Sequence, residues 1–178
     1  MMAVRVAVIF VLLQGATSAI ELLVGTGDRG REDGTSNAFR STEVRTMTVE
    51  AERGSGQGKI MWRSKASGKK TVLLNASEVR TMSFTLSSSG GFLFSIRYSN
   101  DNDNSAPCET VSIRVDGSPL GSFVAADTGD GGVGWNTFRT AGNIGSRSLA
   151  AGKHRIRIST SGGDLYGIEI DCARLKMM

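Results

Sequence analysis

The feature that most constrains this chain is the alternation of apolar and polar residues along several short segments. Alternation with a period of two places one set of side chains in a core and the other set in water, as in a half-buried β-strand. No stretch shows a helical period of useful length. The clearest apolar members are Phe92, Phe94, Ile96 and Tyr98, then Val111, Ile113 and Val115, then Ile156 and Ile158. The pattern predicts an all-β, antiparallel β-sandwich or jelly roll.

Glycine-containing turn signals separate these segments. The chain has 23 Gly and only 2 Pro among its 178 residues, without a collagen-like repeat. Such a composition favours a compact body with many tight turns. The turn signals are Ser89–Gly91, Asp116–Pro119, Gly129–Gly134, Ala151–Gly152 and Ser161–Gly163.

The N-terminus has the pattern of a secretory signal peptide. A basic start precedes the apolar run 6–13, and small residues follow up to Ala19. We therefore predict a signal peptide at 1–19, a loose N-terminal arm at 20–45 and a single domain at 46–176. The alternative is an uncleaved membrane anchor. The mature protein is expected to be secreted and extracellular, with no membrane span.

An oxidising destination changes how the two cysteines, Cys108 and Cys172, are interpreted. Two cysteines in a secreted domain usually pair, so a disulfide is predicted; the alternative is that Cys172 is a small core residue in phase with Ile168 and Ile170. Asn75 begins an Asn-Ala-Ser sequence and is a candidate glycosylation site.

The charge and histidine content argue against two large function classes. The net charge is +4 and the basic residues are scattered along strand-like segments, so no nucleic-acid partner is expected. The single histidine, His154, has no nucleophile motif to serve, and the chain contains no Gly-x-Ser-x-Gly sequence. A non-catalytic protein is therefore predicted.

Acidic residues, in contrast, are grouped in the first and last strand-like segments. Glu50 and Glu52 alternate with Val49 and Ala51, while Glu169 and Asp171 alternate with Ile168, Ile170 and Cys172. If these two strands are close, the carboxylates converge and need a cation, for which Ca²⁺ is the best match to several hard oxygen ligands. From the spacing alone, two solvated strand faces remain the alternative.

A second acidic group lies at 100–104, with the sequence Asn-Asp-Asn-Asp-Asn. It resembles half of an EF-hand loop but lacks the Gly and Glu that such a loop needs. Either it is a plain polar loop, or it supplies oxygens to a calcium ion or a sugar.

The order of several short motifs resembles the β-sandwich carbohydrate-binding modules of families 6, 35 and 36, which have a galactose-binding-domain-like fold. The resemblance covers about residues 46–176. The motifs are Thr48–Glu52, Ala66–Gly68, Arg97–Asn100, Val115–Gly117, Gly134–Phe138, Leu149–His154 and Tyr166–Asp171.

The resemblance implies a structural Ca²⁺ held by Glu50, Glu52 and Asp171. It also implies that an aromatic ring in the end loops stacks on a sugar, a role that falls to Trp135, with a core position for this ring as the alternative. Further candidates for the sugar site are Asn136, Asp164, Tyr166 and Trp62. The acidic, glycine-rich stretch 127–132 either binds a second Ca²⁺ or forms a turn.

The expected function is therefore that of a secreted, lectin-like module that binds a polysaccharide or the glycan of a glycoconjugate. One alternative is an extracellular protein-interaction or adhesion module on the same fold. A less favoured alternative is a small glycoside hydrolase, which would use paired carboxylates.

Overall fold

The computed structural model describes residues 45–102, 107–129 and 134–178. The predicted signal peptide and nearly all of the predicted arm lie outside these residues. The described part consists of strands, their connections and a short 3-10 helix, Ala51–Arg53. The strands are Thr46–Glu50 (β1), Ser55–Gly56 (β2), Lys59–Trp62 (β3), Lys70–Leu74 (β4), Val79–Leu86 (β5), Gly90–Asn100 (β6), Thr110–Val115 (β7), Ser118–Val124 (β8), Arg139–Leu149 (β9), Gly152–Ser161 (β10) and Ile168–Met177 (β11).

The strands form two antiparallel sheets that enclose one apolar core, so the chain is a β-sandwich as the alternation predicts. The first sheet has the order β3-β4-β11-β6-β9, with β1 also paired to β11, and the second has the order β2-β5-β10-β7-β8. The core lies between the sheets and includes Phe94, Ile96, Ile113, Ile156 and Ile170. Each is at most 2% exposed, which confirms the predicted inward set for these residues.

The tight turn between β7 and β8 follows the predicted turn chemistry. Asp116 and Gly117 are its two central residues and both have positive φ, 50° and 80°. Positive φ at both positions matches the twist of a two-residue hairpin turn, for which Asp-Gly is a preferred pair. The turn therefore fixes the register of β7 against β8.

A β-bulge in β11 changes the predicted side of one residue. Ile170 lies opposite Tyr98 and Cys172 lies opposite Arg97, so Asp171 is an extra residue without a partner on β6. The bulge places Cys172 on the side of Arg97, away from the core, while Ala173 and Leu175 continue the core side. The expectation that Cys172 points inward with Ile170 is therefore wrong, although its side chain is buried.

The predicted disulfide is also wrong, because Cys108 and Cys172 are both free thiols. Cys108 precedes β7 in the second sheet, whereas Cys172 lies within β11 of the first sheet and faces away from the space between the sheets. No helix in the described ranges is long and apolar enough to cross a membrane.

The first strand begins and ends two residues earlier than the predicted Thr48–Glu52. β1 ends at Glu50, and Glu52 lies in the 3-10 helix that follows. Val49 and Ala51 are nevertheless buried, as the alternation requires. The 3-10 helix therefore sets the position of the Glu52 carboxylate.

Candidate functional site

The outer face of the first sheet is covered by residues 63–69, which connect β3 to β4 and are called the covering loop here. Glu169 and Asp171 point away from the core, as predicted, but both are fully buried beneath this cover. Ser67 holds the loop down, because its backbone N–H donates to Asp171 Oδ1 at 2.9 Å and its hydroxyl donates to Glu50 Oε1 at 2.8 Å. The cover turns an expected solvated face into an enclosed site.

Glu50 and Glu52 come together beneath Gly68, and Asp171 lies close to Glu50. A Cβ atom on Gly68 would lie 2.3 Å from Glu52 Oε1 and 3.6 Å from Glu50 Oε2, so both carboxylates reach the same point. Only a residue without a side chain fits over them. The structure thus brings Glu50 close to Asp171, with ligand atoms within 4.8 Å of each other, and places Glu52 beside Glu50 under Gly68.

The charge of this acidic cluster is only partly balanced. Arg97 forms an ion pair with Asp171, but Glu50 Oε2 and Glu52 Oε2 are buried and accept no hydrogen bond from the described residues. Burial raises the pKa of Glu50, and the charges of Glu52 and Asp171 raise it further. Two buried carboxylate oxygens without donors fit a hard cation such as Ca²⁺.

Cys172 adds a thiol to the edge of this cluster. Ligand atoms of Glu50, Asp171 and Cys172 lie within 4.8 Å of one another. Burial, together with the charges of Asp171 and Glu50, raises the pKa of the Cys172 thiol to about 12. The thiol is therefore protonated at neutral pH, and the carboxylates remain the better ligands.

Arg80 fixes the turn that carries Glu52. Its guanidinium donates to four backbone carbonyls, those of Ala51 (3.1 Å), Glu52 (3.2 Å), Gly54 (2.8 Å) and Gln57 (3.5 Å). Burial lowers the pKa of Arg80. The Ala51 carbonyl also accepts from the Gly54 backbone N–H at 3.0 Å. By joining these carbonyls, Arg80 holds the turn of the chain that carries Glu52.

A second buried ion pair joins the covering loop to β11. Arg63 Nε donates to both carboxylate oxygens of Glu169, at 3.0 and 2.8 Å, and the Thr71 hydroxyl donates to the same group at 2.8 Å. The Arg63 guanidinium also lies 5.6 Å from the centre of the Trp135 ring. Glu169 therefore sets the position of Arg63, and Arg63 contacts the predicted sugar platform.

Trp135 and Asn136 come from the connection between β8 and β9 and meet the covering loop. Asn136 has a φ of 78° and accepts a hydrogen bond from the backbone N–H of Lys65 at 2.8 Å. Its side-chain amide donates to the Ser64 hydroxyl at 2.9 Å. Asn136 is thus occupied in holding two loops together, a role that the sequence did not predict.

The remaining predicted sugar-site residues are divided between two places. Trp62 ends β3 next to Arg63 and is 71% exposed, with the Lys70 ammonium 5.6 Å from its ring centre. Asp164 and Tyr166 lie in the connection between β10 and β11, where Asp164 accepts from the Tyr166 N–H at 2.8 Å and Tyr166 is 57% exposed. The register pairs Trp62 with Lys70 on the side of Val72 and Leu74, whereas Trp135 lies beside Arg63 of the covering loop, and Tyr166 belongs to the end loops.

Glu109, which no sequence pattern singled out, is a fully buried acid at the same end of the sandwich. Its Oε2 accepts from the Asn100 side chain at 2.8 Å, while Oε1 lies against Gly163. Oε1, Asn100 Oδ1 and Asp101 Oδ1 are buried and find no donor of normal geometry in the described ranges. Burial raises the pKa of Glu109.

Several other predictions are not tested by this geometry. Residues 103–106 and 130–133, which complete the two acidic loops, lie outside the described residues. Asn75 is exposed in the connection between β4 and β5, so its glycosylation stays a prediction. His154 lies between Asp116, at 2.7 Å, and the carbonyl of Ala150, at 2.9 Å.

Comparison with known proteins supports the fold from structure rather than from sequence. No family model and no curated protein matches the chain. Among solved structures, the C-terminal family 6 module of a laminarinase from Zobellia galactanivorans is similar, with a TM-score of 0.58 and 19% identity over 74% of this chain and 99% of that one. A family 35 module from Clostridium thermocellum has a TM-score of 0.56 and 24% identity over 73% of this chain and 98% of that one.

Larger enzymes also match over part of their length. An exo-β-1,3-galactanase from Phanerochaete chrysosporium has a TM-score of 0.56 and 23% identity over 72% of this chain, which spans only 28% of that enzyme. The chain therefore has the β-sandwich fold of the family 6 and family 35 carbohydrate-binding modules, as the motif order predicts.

Proposed function

We propose that this chain is a secreted, non-catalytic carbohydrate-binding module with a structural Ca²⁺ held by Glu50, Glu52 and Asp171. The observation that carries the proposal is the position of Trp135, which lies against Arg63 of a loop that buried Glu169 holds from below. Modules of this fold are named for binding carbohydrate, and an indole ring offers an apolar face to the C–H groups of a pyranose.

The rigidity of the covering loop supports a binding role. Buried hydrogen bonds from Ser67 and Arg63 tie the loop to Asp171 and Glu169, and Asn136 ties it to the next loop. A platform that is ordered before the ligand arrives loses little conformational entropy on binding.

A bound Ca²⁺ would support the same position of the covering loop. A Ca²⁺ at Glu50 and Glu52 would neutralise the two carboxylates beneath Gly68, and Ser67 would then remain in place above them. Bound Ca²⁺ would supply electrostatic stabilisation of the loop rather than a reaction step.

The burial and pairing of Glu169 and Asp171 argue against the alternative of a small glycoside hydrolase. A hydrolase needs one free acid and one free base or nucleophile facing the substrate. Glu169 and Asp171 are fully buried, and each has an arginine partner. A protein-interaction module on the same fold remains the second candidate, favoured by the exposed apolar side chains Ile60 and Trp62 on edge strand β3.

A glycan array, probed with and without Ca²⁺, tests the proposal. We expect binding that weakens strongly in the Trp62→Ala and Trp135→Ala variants. Val124→Ala is the matched control, because Val124 is a 64% exposed apolar residue of the second sheet. Unchanged binding in both tryptophan variants would refute sugar stacking, and the absence of any glycan ligand would favour the protein-interaction alternative.

A further inference from the structure

The second sheet contains no acidic residue in any of its five strands, which the structure describes in full. All 17 aspartates and glutamates of the chain lie outside β2, β5, β7, β8 and β10. The same strands contain four arginines and one lysine. The positive charge of this sheet is therefore not balanced within it, although the basic residues look scattered along the sequence.

The strand register gathers four of these cations on the outer face of the second sheet. Ile156 of β10 faces the core. The residues that alternate with it face outward, and they include Lys153, Arg155 and Arg157. Arg114 of β7 lies opposite Arg157 and faces outward with it. All four side chains are exposed, and none forms an ion pair with another of the described residues; together they are called the cationic face here.

The pairing of Arg114 with Arg157 is unfavourable in the free protein. Residues directly opposite each other in an antiparallel pair have Cβ atoms about 5 Å apart, and like charges at these positions destabilise a sheet. Arg114 donates to the carbonyl of Gly117 at 2.8 Å, but a neutral carbonyl does not balance its charge. A local arrangement that lowers stability is typical of a functional surface, and an anion bound between the two guanidinium groups would remove the repulsion.

The carboxylate at one end of the cationic face is already engaged by neighbouring groups. Asp116 Oδ2 lies 2.7 Å from His154 Nδ1, and Oδ1 accepts from the Arg155 backbone N–H at 2.9 Å. The groove beside it is lined by hydroxyl and cationic side chains, including Ser83, Thr85, Lys153 and Arg155. Hydroxyl groups between cations can bond to the backbone of a peptide as well as to its carboxylates.

The residues around the cationic face favour a protein partner over other polyanions. The outward positions of the second sheet carry no aromatic ring, which single-stranded nucleic acids use for base stacking, because Phe84 and Phe123 lie on the core side. Apolar side chains are few there, with Val79 and Val124 at the strand ends, so the face offers little surface to insert into a lipid bilayer.

The spacing of the cations matches that of an extended acidic peptide. Side chains two residues apart on a strand point to the same side and are about 6.8 Å apart, so Lys153, Arg155 and Arg157 form a row with this period. An extended peptide with acids at alternate positions presents its carboxylates at the same spacing. An arginine can bind each carboxylate through two parallel hydrogen bonds.

We propose that the cationic face binds an acidic segment of a partner protein in extended conformation, with Asp or Glu at alternate positions against Arg114, Arg155 and Arg157. The inference goes beyond the proposed function, because the covering loop lies on the outer face of the first sheet and the cationic face lies on the other side of the sandwich. The two surfaces are separate, so the module can hold a glycan and a protein at the same time.

The test uses labelled peptides of about nine residues, long enough to cross the row of cations. One peptide alternates Thr and Glu, a second has Gln in place of Glu, and a third has the same composition as the first with its Glu residues in one block. Fluorescence anisotropy with the full chain measures binding. We expect the Gln peptide to bind about tenfold or more weakly than the first, the block peptide to bind about threefold more weakly, and the affinity to fall as salt rises.

A matched pair of triple variants locates the contacts. Replacement of Arg114, Arg155 and Arg157 by Gln should weaken binding of the alternating peptide about tenfold, since three exposed ion pairs are lost. Replacement of Lys65, Lys69 and Lys70 by Gln removes the same charge from the first sheet and its covering loop, and it should change binding by less than about twofold. All six side chains are exposed, so both variants should fold. The arginine variant should keep or raise its Tm, because the repulsion between Arg114 and Arg157 is gone.

Three results would overturn this inference. The first is no binding of the alternating peptide at low salt, and the second is an equal effect of the two triple variants. The third is equally tight binding of a short single-stranded DNA, of dextran sulfate or of phosphatidylcholine vesicles with added phosphatidylserine, because it would indicate general attraction of polyanions. None of these results bears on glycan binding, which the Trp135→Ala variant tests on the other sheet, so the two proposals fail separately.

Discussion

Arg63 reaches across the outer face of the first sheet and donates from Nε to both oxygens of Glu169, a residue 106 positions later in the chain. The pair is asymmetric, because the Arg63 side chain is 20% exposed whereas Glu169 is fully buried. Removal of Arg63 and removal of Glu169 should therefore lower the free energy of unfolding by different amounts.

The first prediction concerns this asymmetry. Arg63→Ala leaves a buried carboxylate with only the Thr71 hydroxyl as donor, and it should lower the free energy of unfolding by about 3–5 kcal/mol. Glu169→Gln keeps an acceptor for Arg63 and lets Arg63 remain partly hydrated, so it should cost markedly less. Urea unfolding followed by fluorescence measures both, and equal losses would contradict the burial difference.

The second prediction concerns Ca²⁺ at the acidic cluster. Ca²⁺ at about a hundred times its Kd should stabilise the fold by about 2.7 kcal/mol, and EGTA should remove this effect. The double variant Glu50→Gln, Glu52→Gln should lose the response to Ca²⁺. Without Ca²⁺ it should be no less stable than the parent, because burial and then the charges of Glu52 and Asp171 raise the pKa of Glu50, and the neutral side chains avoid both costs.

Differential scanning calorimetry with and without Ca²⁺ distinguishes these states. Glu78→Gln is a suitable control, since Glu78 lies in the connection before β5 and accepts a hydrogen bond from the Asn75 N–H. It should leave the Ca²⁺ response unchanged. A Tm that ignores Ca²⁺ and chelator in the parent protein would argue against the site.

The third prediction assigns Arg80 a positioning role. Arg80→Met removes the side-chain donors to the carbonyls of Ala51, Glu52, Gly54 and Gln57 but keeps an apolar stem, and the loss of these hydrogen bonds should cost about 1–3 kcal/mol. The variant should also bind Ca²⁺ more weakly, because Glu52 loses its fixed turn. Loss of stability with an unchanged Ca²⁺ affinity would show that Arg80 is only structural.

The fourth prediction concerns pH and His154. Its hydrogen bonds to Asp116 and to the carbonyl of Ala150 raise the pKa of His154. A raised pKa in the folded state means that the stabilisation is complete below the ordinary His value, about 6.5, and is lost as pH rises through the folded pKa. Unfolding free energy should therefore fall as pH rises above about 6.5.

The variant Asp116→Asn tests the cause of that pH dependence. It removes the charge that His154 faces and should flatten the decline, while it keeps the positive φ that Asn tolerates in the turn. Urea midpoints at several pH values measure the effect. An equally steep decline in the variant would assign the pH dependence to another group.

The fifth prediction concerns Glu109. Burial raises its pKa, so its contribution to stability is highest below the ordinary Glu value and is lost as pH rises through the folded pKa. Glu109→Gln avoids this loss and should raise Tm by a few degrees at pH 7 but not at pH 4. A lower Tm at pH 7 would indicate that a cation stabilises the carboxylate.

The fold was predictable because alternation is a local signal. The alternating apolar residues of two segments were predicted to face the core, and the structure buries them: Phe92, Phe94, Ile96, Tyr98, Ile156 and Ile158. The order of the short motifs further predicted the sandwich type of the family 6 and family 35 modules, and the similar solved structures confirm this fold. Glu50, Glu52 and Asp171 were grouped because acids cluster in the first and last segments of the domain and match the ligands that the resemblance implies, and their metal role stays a prediction.

The rest depended on contacts between distant segments. Nothing in the sequence near Glu169 announces that Arg63 will cover it, or that Asn136 will bind Lys65 rather than a sugar. The error at Cys172 has a single cause, since a bulge adds one residue without a local sequence mark. Glu109 has no acidic residue beside it in the sequence, so no local pattern indicated a site there.

The bulge in β11 means that one residue of the acidic site could be deleted without a change in the residues that form the core. Without Asp171, Ile170 would be followed directly by Cys172, and the residues that pack inward, Ile170, Ala173 and Leu175, would still alternate correctly with those opposite them on β6. Loss of a single codon would thus remove the carboxylate that binds Ser67 and Arg97 and leave the core pattern intact. An evolving sandwich of this kind can gain or lose its site without redesign of its interior.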